Sequence, residues 1–360
     1  MGAFDTLRRR LAAPRPTPTL GPCLIYGAGG FGRRIAAELC RLGHPVRGFI
    51  DHAGRERTVV DGLPCRHPDD LAPAEAAVTD YVHGLMNHTT SSGAVADWAA
   101  NRGFRQLLFA TDLLALPGFA LENYWLAPAG QADLDALERL HDRLADAPSR
   151  ALLRSLVAYR ASTDPRAHPP VATADIYQPD GLPIRGRPLT FVDGGAYTGD
   201  TLAGLLDGGV TVAEWLAFEP DPANGAALRA AAGDVPRARL FEAGLSDHSG
   251  RARFQAGDGA ASRVTEAGAT EIALLRLDDV LEPRPDLYVK LDVEGGEAAA
   301  LRGMAGHLAR RPVLAVSVYH RPEDLWALPE LVEDLYPEPR LRLRQHGHHG
   351  FDTVLYVTPE

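Results

Sequence analysis

Lys290, Asp292 and Glu294 alternate at the end of an otherwise apolar stretch, LYVKLDVEGGE, and His320 follows the next apolar stretch, VLAVSVY. An extended chain sends alternate side chains to one face, so the three charged groups should emerge together. Glu297, three residues after Glu294, falls on the same face of the helix that Glu294 is expected to open. Crowded carboxylates raise one another's pKa, whereas a helix N-terminus and Lys290 oppose that rise. A histidine beside them has the chemistry of a general base toward a hydroxyl, which is a poor nucleophile while protonated. Asp292, Glu294 and His320 also suit an oxygen-rich Mg²⁺ site, although their spacing demands no metal and none is assigned. The plainer alternative is a helix N-terminus favoured by acids, a Lys–Asp pair and a loop-capping histidine.

A second constellation precedes this one. In FVDGGAYTGDT an acid, Asp193, ends an apolar strand, and Gly195 and Gly199 bend the chain into a helix that opens near Thr201. Glu219 ends the next strand, WLAFEP, 26 residues after Asp193. A carboxylate there is placed to bind both hydroxyls of a ribose. No GK[ST] follows the turn, which excludes a phosphate loop, and Asp193 would repel a pyrophosphate. The same acid suits a cofactor that carries a sulfonium and an amino acid, which is S-adenosylmethionine.

The elements that position these residues alternate. From residue 187 on, the strands are LTFVDGG, EWLAFEP, ARLFEAG, LYVKLDV, VLAVSVY, RLRLRQH and FDTVLYVTP, with helices after the first, second, fourth and fifth. Only the HGHHG turn separates the last two, which predicts an antiparallel hairpin at a sheet edge. His346, His348 and His349 in that turn lack a cysteine or acid partner, so a solvent loop at the substrate mouth is expected rather than a zinc site. Open parallel sheets bind ligands at the carboxyl ends of their strands, where Lys290, Asp292, Glu294 and His320 all fall.

An earlier glycine turn marks a second domain over residues 20–128. CLIYGAGGFGRRIAAELCRLGHPVRGFID reads as strand, Gly27–Gly29–Gly32, helix and a strand ending at Asp51, 19 residues after Gly32. That is the spacing of a dinucleotide fold, and it predicts a nucleotide or nucleotide-sugar above the turn. The same glycines also serve simple helix–strand packing. Residues 129–186 read as a helical connector and a Pro-rich linker, the latter also suited to a lid.

Composition narrows the class. A length of 360 residues suits two domains, and a net charge of −10 with Lys nearly absent disfavours nucleic acid. No apolar run reaches the roughly 20 residues that span a bilayer. The N-terminus reads as a short helix and a Pro-rich lead-in with no signal-peptide core. Cys23, Cys40 and Cys65 have no metal-like spacing, which points to reduced thiols and a cytoplasmic protein. An oligomer is compatible with all of this.

The motifs FVDGGAYTGDT, AFEPDP, GLSDHSGRARF, LRLDDVL, YVKLDVEGGEAAALRGM, SVYHRPEDLW and DTVLYV, in this order over residues 187–360, resemble the FkbM family of S-adenosylmethionine-dependent methyltransferases. The resemblance implies an α/β fold: a class I, doubly wound methyltransferase sheet with a terminal antiparallel hairpin, preceded by a smaller Rossmann-like domain. It implies O-methylation of a hydroxyl on a sugar, glycan precursor or natural product. Asp193, Gly195, Gly199 and Thr201 would then surround the methionine part of the cofactor. Glu219 would take the ribose, and Asp247 of GLSDHSG would read the adenine amino group unless it only forms a turn. His320, Asp292, Glu294 and Lys290 would line the acceptor site. Two other readings remain open: a nucleotide-sugar sensor with a degenerate methyltransferase half, and an NAD-dependent oxidoreductase built on Gly27–Gly32 and Asp51.

Overall fold

The computed structural model describes residues 2–12, 17–128, 130–255, 263–264, 270–284 and 286–359. Pro14 and Pro16 of the expected lead-in lie outside these residues; the helix before them spans Asp5–Ala12. The chain forms two compact units. The first comprises Met1–Leu134, Ala151–Val171 and Gly347–Phe351; the second comprises Asp135–Arg150, Ala172–His346 and Asp352–Glu360.

In the first unit β1 (Cys23–Tyr26) runs into α1 (Gly30–Arg41), followed by β2 (Val46–Ile50), β3 (Val59–Val60) and β4 (Leu63–Arg66). Then come β5 (Asp80–His83), α2 (Gly93–Arg102) and β6 (Leu107–Leu108). The sheet order is β3-β4-β2-β1-β5-β6, parallel apart from the β3–β4 hairpin. That hairpin gives no signal in the sequence because β3 is two residues long. Leu24, Tyr26, Ile50, Tyr81 and Phe104 form the core on one side of the sheet.

The second unit starts with α3 (Leu134–Arg143) and the beginning of α4 (Ala147–Arg160). Its main sheet contains β7 (Leu189–Gly194), β8 (Val212–Phe218) and β9 (Ala238–Phe241). A small sheet follows, of β10 (Ala243–Leu245), β11 (Gly250–Gln255), β12 (Arg263–Val264) and β13 (Thr270–Leu275). The main sheet resumes with β14 (Leu287–Leu291), β15 (Val313–Ser317), β16 (Pro339–Gln345) and β17 (Thr353–Pro359). Helices α5 (Asp200–Asp207), α6 (Gly225–Ala231), α7 (Glu297–Arg302) and α8 (Asp324–Leu335) follow β7, β8, β14 and β15. The strand order β16-β17-β15-β14-β7-β8-β9, with β17 antiparallel to both neighbours, is the expected doubly wound sheet with a terminal hairpin. Phe191, Trp215, Tyr288 and Tyr356 fill its core.

Three local expectations change. Residues 129–186 are no separate connector, because their helices are shared between the units. Asp146 pairs with Arg344 at 2.8 Å, and Ser149 Oγ accepts from the Leu343 amide, which seats that segment on β16. The small sheet of β10 to β13 escapes the reading of alternating long strands. The histidine turn is no solvent loop: His349 is buried in the first unit, between Ser92 Oγ at 3.1 Å and the Tyr159 hydroxyl at 3.2 Å.

Candidate functional site

Parallel pairing decides which side chains meet. Lys290 of β14 lies opposite Asp193 of β7, and Leu291 lies opposite Gly194. In-register neighbours share a face, so the Lys290 ammonium reaches the Asp193 carboxylate at 3.1 Å while both residues are almost completely buried. Burial pushes the Asp193 carboxyl up to about 6 against the pull of Lys290. Burial also opposes the lysine charge, but Asp193 and Asp292 hold the Lys290 pKa above its ordinary value. The ammonium donates a further bond of 2.5 Å to the Gly195 carbonyl. Asp193 is therefore fixed beneath the glycine turn, with no exposed surface of its own.

Gly195 has φ +74°, and a Cβ there would lie 1.9 Å from the Asp292 carbonyl oxygen. Its immediate requirement is the close approach of the next strand's end. Gly199 caps α5 with φ +88°, and a Cβ would come within 2.8 Å of Ala231. Thr201 is the second residue of that helix.

Asp292 and Glu294 do not share a face with Lys290 in the way expected. The strand ends at Leu291, and Glu294 adopts φ +52° in the turn that follows. The helix opens at Glu297, capped by Gly296, rather than at Glu294. This turn brings the acids onto His320 instead. His320 Nε2 lies 3.3 Å from Asp292 Oδ1 and 3.7 Å from Glu294 Oε1, while Nδ1 lies 2.9 Å from Glu297 Oε1. Glu297 Oε1 also accepts from the Val293 amide. Burial disfavours charge on the imidazole, yet Glu297, Glu294 and Asp292 outweigh it and push the His320 pKa up to about 10. These carboxylates favour the protonated ring, the opposite of what a resting general base needs.

Tyr177, in the segment expected as linker or lid, donates its hydroxyl to Asp292 Oδ2 at 2.8 Å, and its ring lies 5.4 Å from the Lys290 ammonium. Burial raises the Asp292 carboxyl, but His320, Lys290 and Tyr177 together hold it below its ordinary value. Sequence reasoning missed Tyr177: an isolated tyrosine among prolines carries no spacing signal. Asp292, Glu297 and His320 each bring one candidate metal-ligand atom within 4.8 Å of the others. Glu297 thus stands where the sequence pointed to Glu294.

Glu219, just beyond β8, accepts from the Tyr197 amide at 2.9 Å and from the Asp221 amide at 2.8 Å. Each oxygen takes one of these bonds, and a carboxylate has about four lone-pair sites, so capacity remains for two hydroxyls. Burial raises its pKa against these two backbone bonds. Asp247 is exposed and pairs with the neighbouring His248 at 2.8 Å, at the foot of the small sheet.

In the first unit the glycine turn divides by function. A Cβ on Gly32 would lie 2.0 Å from the Gly27 carbonyl, and Gly27 itself has φ +105°, so both serve helix–strand packing. A Cβ on Gly29 or Gly30 would meet nothing within 4 Å. Asp51 accepts from the Ala28 amide at 2.8 Å and from the Ala53 amide at 2.9 Å, tying the turn to the end of β2.

Residues 193–349 match the methyltransferase FkbM domain family. The fold matches the crystal structure of methyltransferase FkbM from Methylobacillus flagellatus KT over 99% of this chain and 97% of that one, with a TM-score of 0.77 and 22% identity. The chain is also similar to the NADP(+) shikimate dehydrogenase of Rhodospirillum rubrum, 31% identical over 149 residues. That match takes in 39% of this chain, which spans about half of the dehydrogenase, 51%.

Proposed function

With residues 193–349 forming an FkbM methyltransferase domain, we propose that this protein transfers the methyl group of S-adenosylmethionine to a hydroxyl of a sugar, glycan precursor or natural product. The observation that carries the reading is Glu219 beside the Gly195 turn, at the ends of adjacent strands β8 and β7, with the acid–histidine cluster at the ends of β14 and β15. Bound S-adenosylmethionine would supply an electrophilic methyl group to the acceptor oxygen. Glu219 would accept the ribose hydroxyls on its remaining lone pairs. Lys290, paired with Asp193, donates to the Gly195 carbonyl and so sets the turn that would face the methionine part.

The acceptor hydroxyl must lose its proton, and Asp292 and Glu294 are the groups in this corner able to take it. The His320 imidazolium holds both carboxylates in place and is itself anchored by Glu297. Holding the acceptor oxygen near the methyl contributes about 7–11 kcal/mol of barrier lowering, more than the roughly 10²–10⁴-fold of proton transfer. Positioning is thus the larger share of catalysis.

Calorimetry of the full chain with S-adenosylmethionine tests the reading. Glu219→Ala should weaken binding by roughly tenfold or more, the loss of charge-assisted bonds to two hydroxyls. Unchanged affinity in Glu219→Ala would place the ribose elsewhere. A chelator should leave cofactor binding intact. Should it abolish methyl transfer, Asp292, Glu297 and His320 would be holding a divalent cation in place of the imidazolium proton.

A further inference from the structure

The first unit holds a cavity of about 660 Å³ that methyl transfer does not use. Its lining includes a face of α1, from Gly30 through Arg33 and Arg34, together with Asp61, Asn123 and Tyr124. We propose that this cavity binds the diphosphate of a nucleoside diphosphate or its conjugate, and that the ligand opens a latch between Arg33 and Asp61.

The charges in the wall point to an anion. Arg33 grips Asp61 with two bonds, Nε to Oδ2 at 2.6 Å and Nη2 to Oδ1 at 2.8 Å. Both side chains are about half exposed (48% and 49%), so water screens the pair and a stronger anion can displace the carboxylate. Arg34 donates to a neutral partner, the amide oxygen of Asn123, at 2.6 Å. Once the latch opens, two adjacent guanidiniums face the cavity, with the geometry to grip phosphate oxygens in pairs. The first turn of α1 carries no acidic residue, so its dipole adds to the same field.

The backbone provides a separate indication. Gly27 and Gly32 are accounted for by packing, but Gly30 has no packing reason to be glycine, since a Cβ there meets nothing within 4 Å. Gly30 lines the cavity, which leaves its backbone bare on the side of the arginines. Phe31 and Tyr124 add apolar walls of the kind a nucleobase or sugar lies against.

Titration calorimetry of the full chain with ADP, UDP and pyrophosphate tests the proposal. One-to-one binding of all three is expected, and binding by one nucleotide alone would identify the base. Arg33→Ala and Arg34→Ala should each weaken binding roughly tenfold or more, whereas Asp61→Asn should tighten it by freeing Arg33. Gly30→Asp is the sharpest variant: an acid at this position suits the helix and meets open space, so the melting temperature should hold or rise while binding is lost. Glu219→Ala, in the second unit, should leave this binding unchanged. The proposal is overturned if none of the three probes binds. It is equally overturned if binding survives both Gly30→Asp and the arginine substitutions, or if it falls with Glu219→Ala instead.

Discussion

His320 illustrates how neighbours override an intrinsic preference. Free imidazole titrates near 6.5, and burial by itself would lower that value. Three carboxylates within 3.7 Å reverse the sign and push the pKa up to about 10. A raised folded pKa contributes stability that is complete below about pH 6.5 and is lost as the pH rises through 10. Nitrogen-15 NMR of the imidazole should therefore show both ring nitrogens protonated at pH 8; a ring that titrates near 6.5 would restore His320 as a resting base. Glu297→Gln removes the largest of the three attractions. It should move the titration toward neutrality and bring an ionisation into the neutral range of the methyl-transfer profile. A profile identical to that of the parent would place Glu297 outside this network.

At the scale of elements, the ends of β7 and β14 form one interlocked turn. The Gly195 backbone lies where Asp292 leaves its strand, and the Lys290 ammonium is bonded to both Asp193 and Gly195. Gly195→Ala combines a left-handed φ with a contact of 1.9 Å to backbone, which the turn can relieve only by shifting. Strain of this kind costs about 1–3 kcal/mol before the clash is counted. The substitution should lower the melting temperature and weaken S-adenosylmethionine binding together. A stable Gly195→Ala protein with parental affinity would show that this contact relaxes without consequence. The segment before β7 is equally part of the unit. A fragment that begins at residue 187 loses Tyr177 from Asp292, Asp146 from Arg344 and Ser149 from Leu343. Chemical denaturation should find that fragment less stable than one that begins at residue 135; equal midpoints would make the segment dispensable.

At the scale of the whole molecule, the two units carry opposite pH liabilities. In the first, Tyr81, His83, Ser92, His349 and Tyr159 form a buried chain of hydrogen bonds. Burial lowers His83 to about 3 and His349 to about 4. A histidine held neutral in the fold takes up a proton on unfolding, so these groups remove stability as the pH falls from about 6.5 through 4. The His320 cluster in the second unit is unaffected over that range, because its contribution is already complete below about pH 6.5 and is lost only as the pH rises through 10. Calorimetric melting between pH 4 and 7 should show the first unit weakening toward acid, and His83→Gln should flatten that slope. A first unit whose melting does not respond to acid would mean that the histidines can be charged in place. Among the described residues no helix is long and apolar enough to cross a membrane.

The sequence by itself determined the order of the main-sheet strands and the helices between them, the two glycine turns, the terminal hairpin, and the arrival of Asp193, Glu219, Asp292 and His320 at strand ends. These are local quantities, set by the period of apolar residues and by glycine placement. Only the tertiary structure decided what those side chains do to one another. Strand register paired Lys290 with Asp193, the left-handed Glu294 turned the acids onto His320, and Tyr177 came in from a segment with no periodicity. The histidine turn likewise read as solvent-facing because its partners, Ser92 and Tyr159, are nearly 200 or more residues away in the chain. Register, electrostatic coupling and burial depend on which distant residues become neighbours, and spacing along one chain does not carry that information.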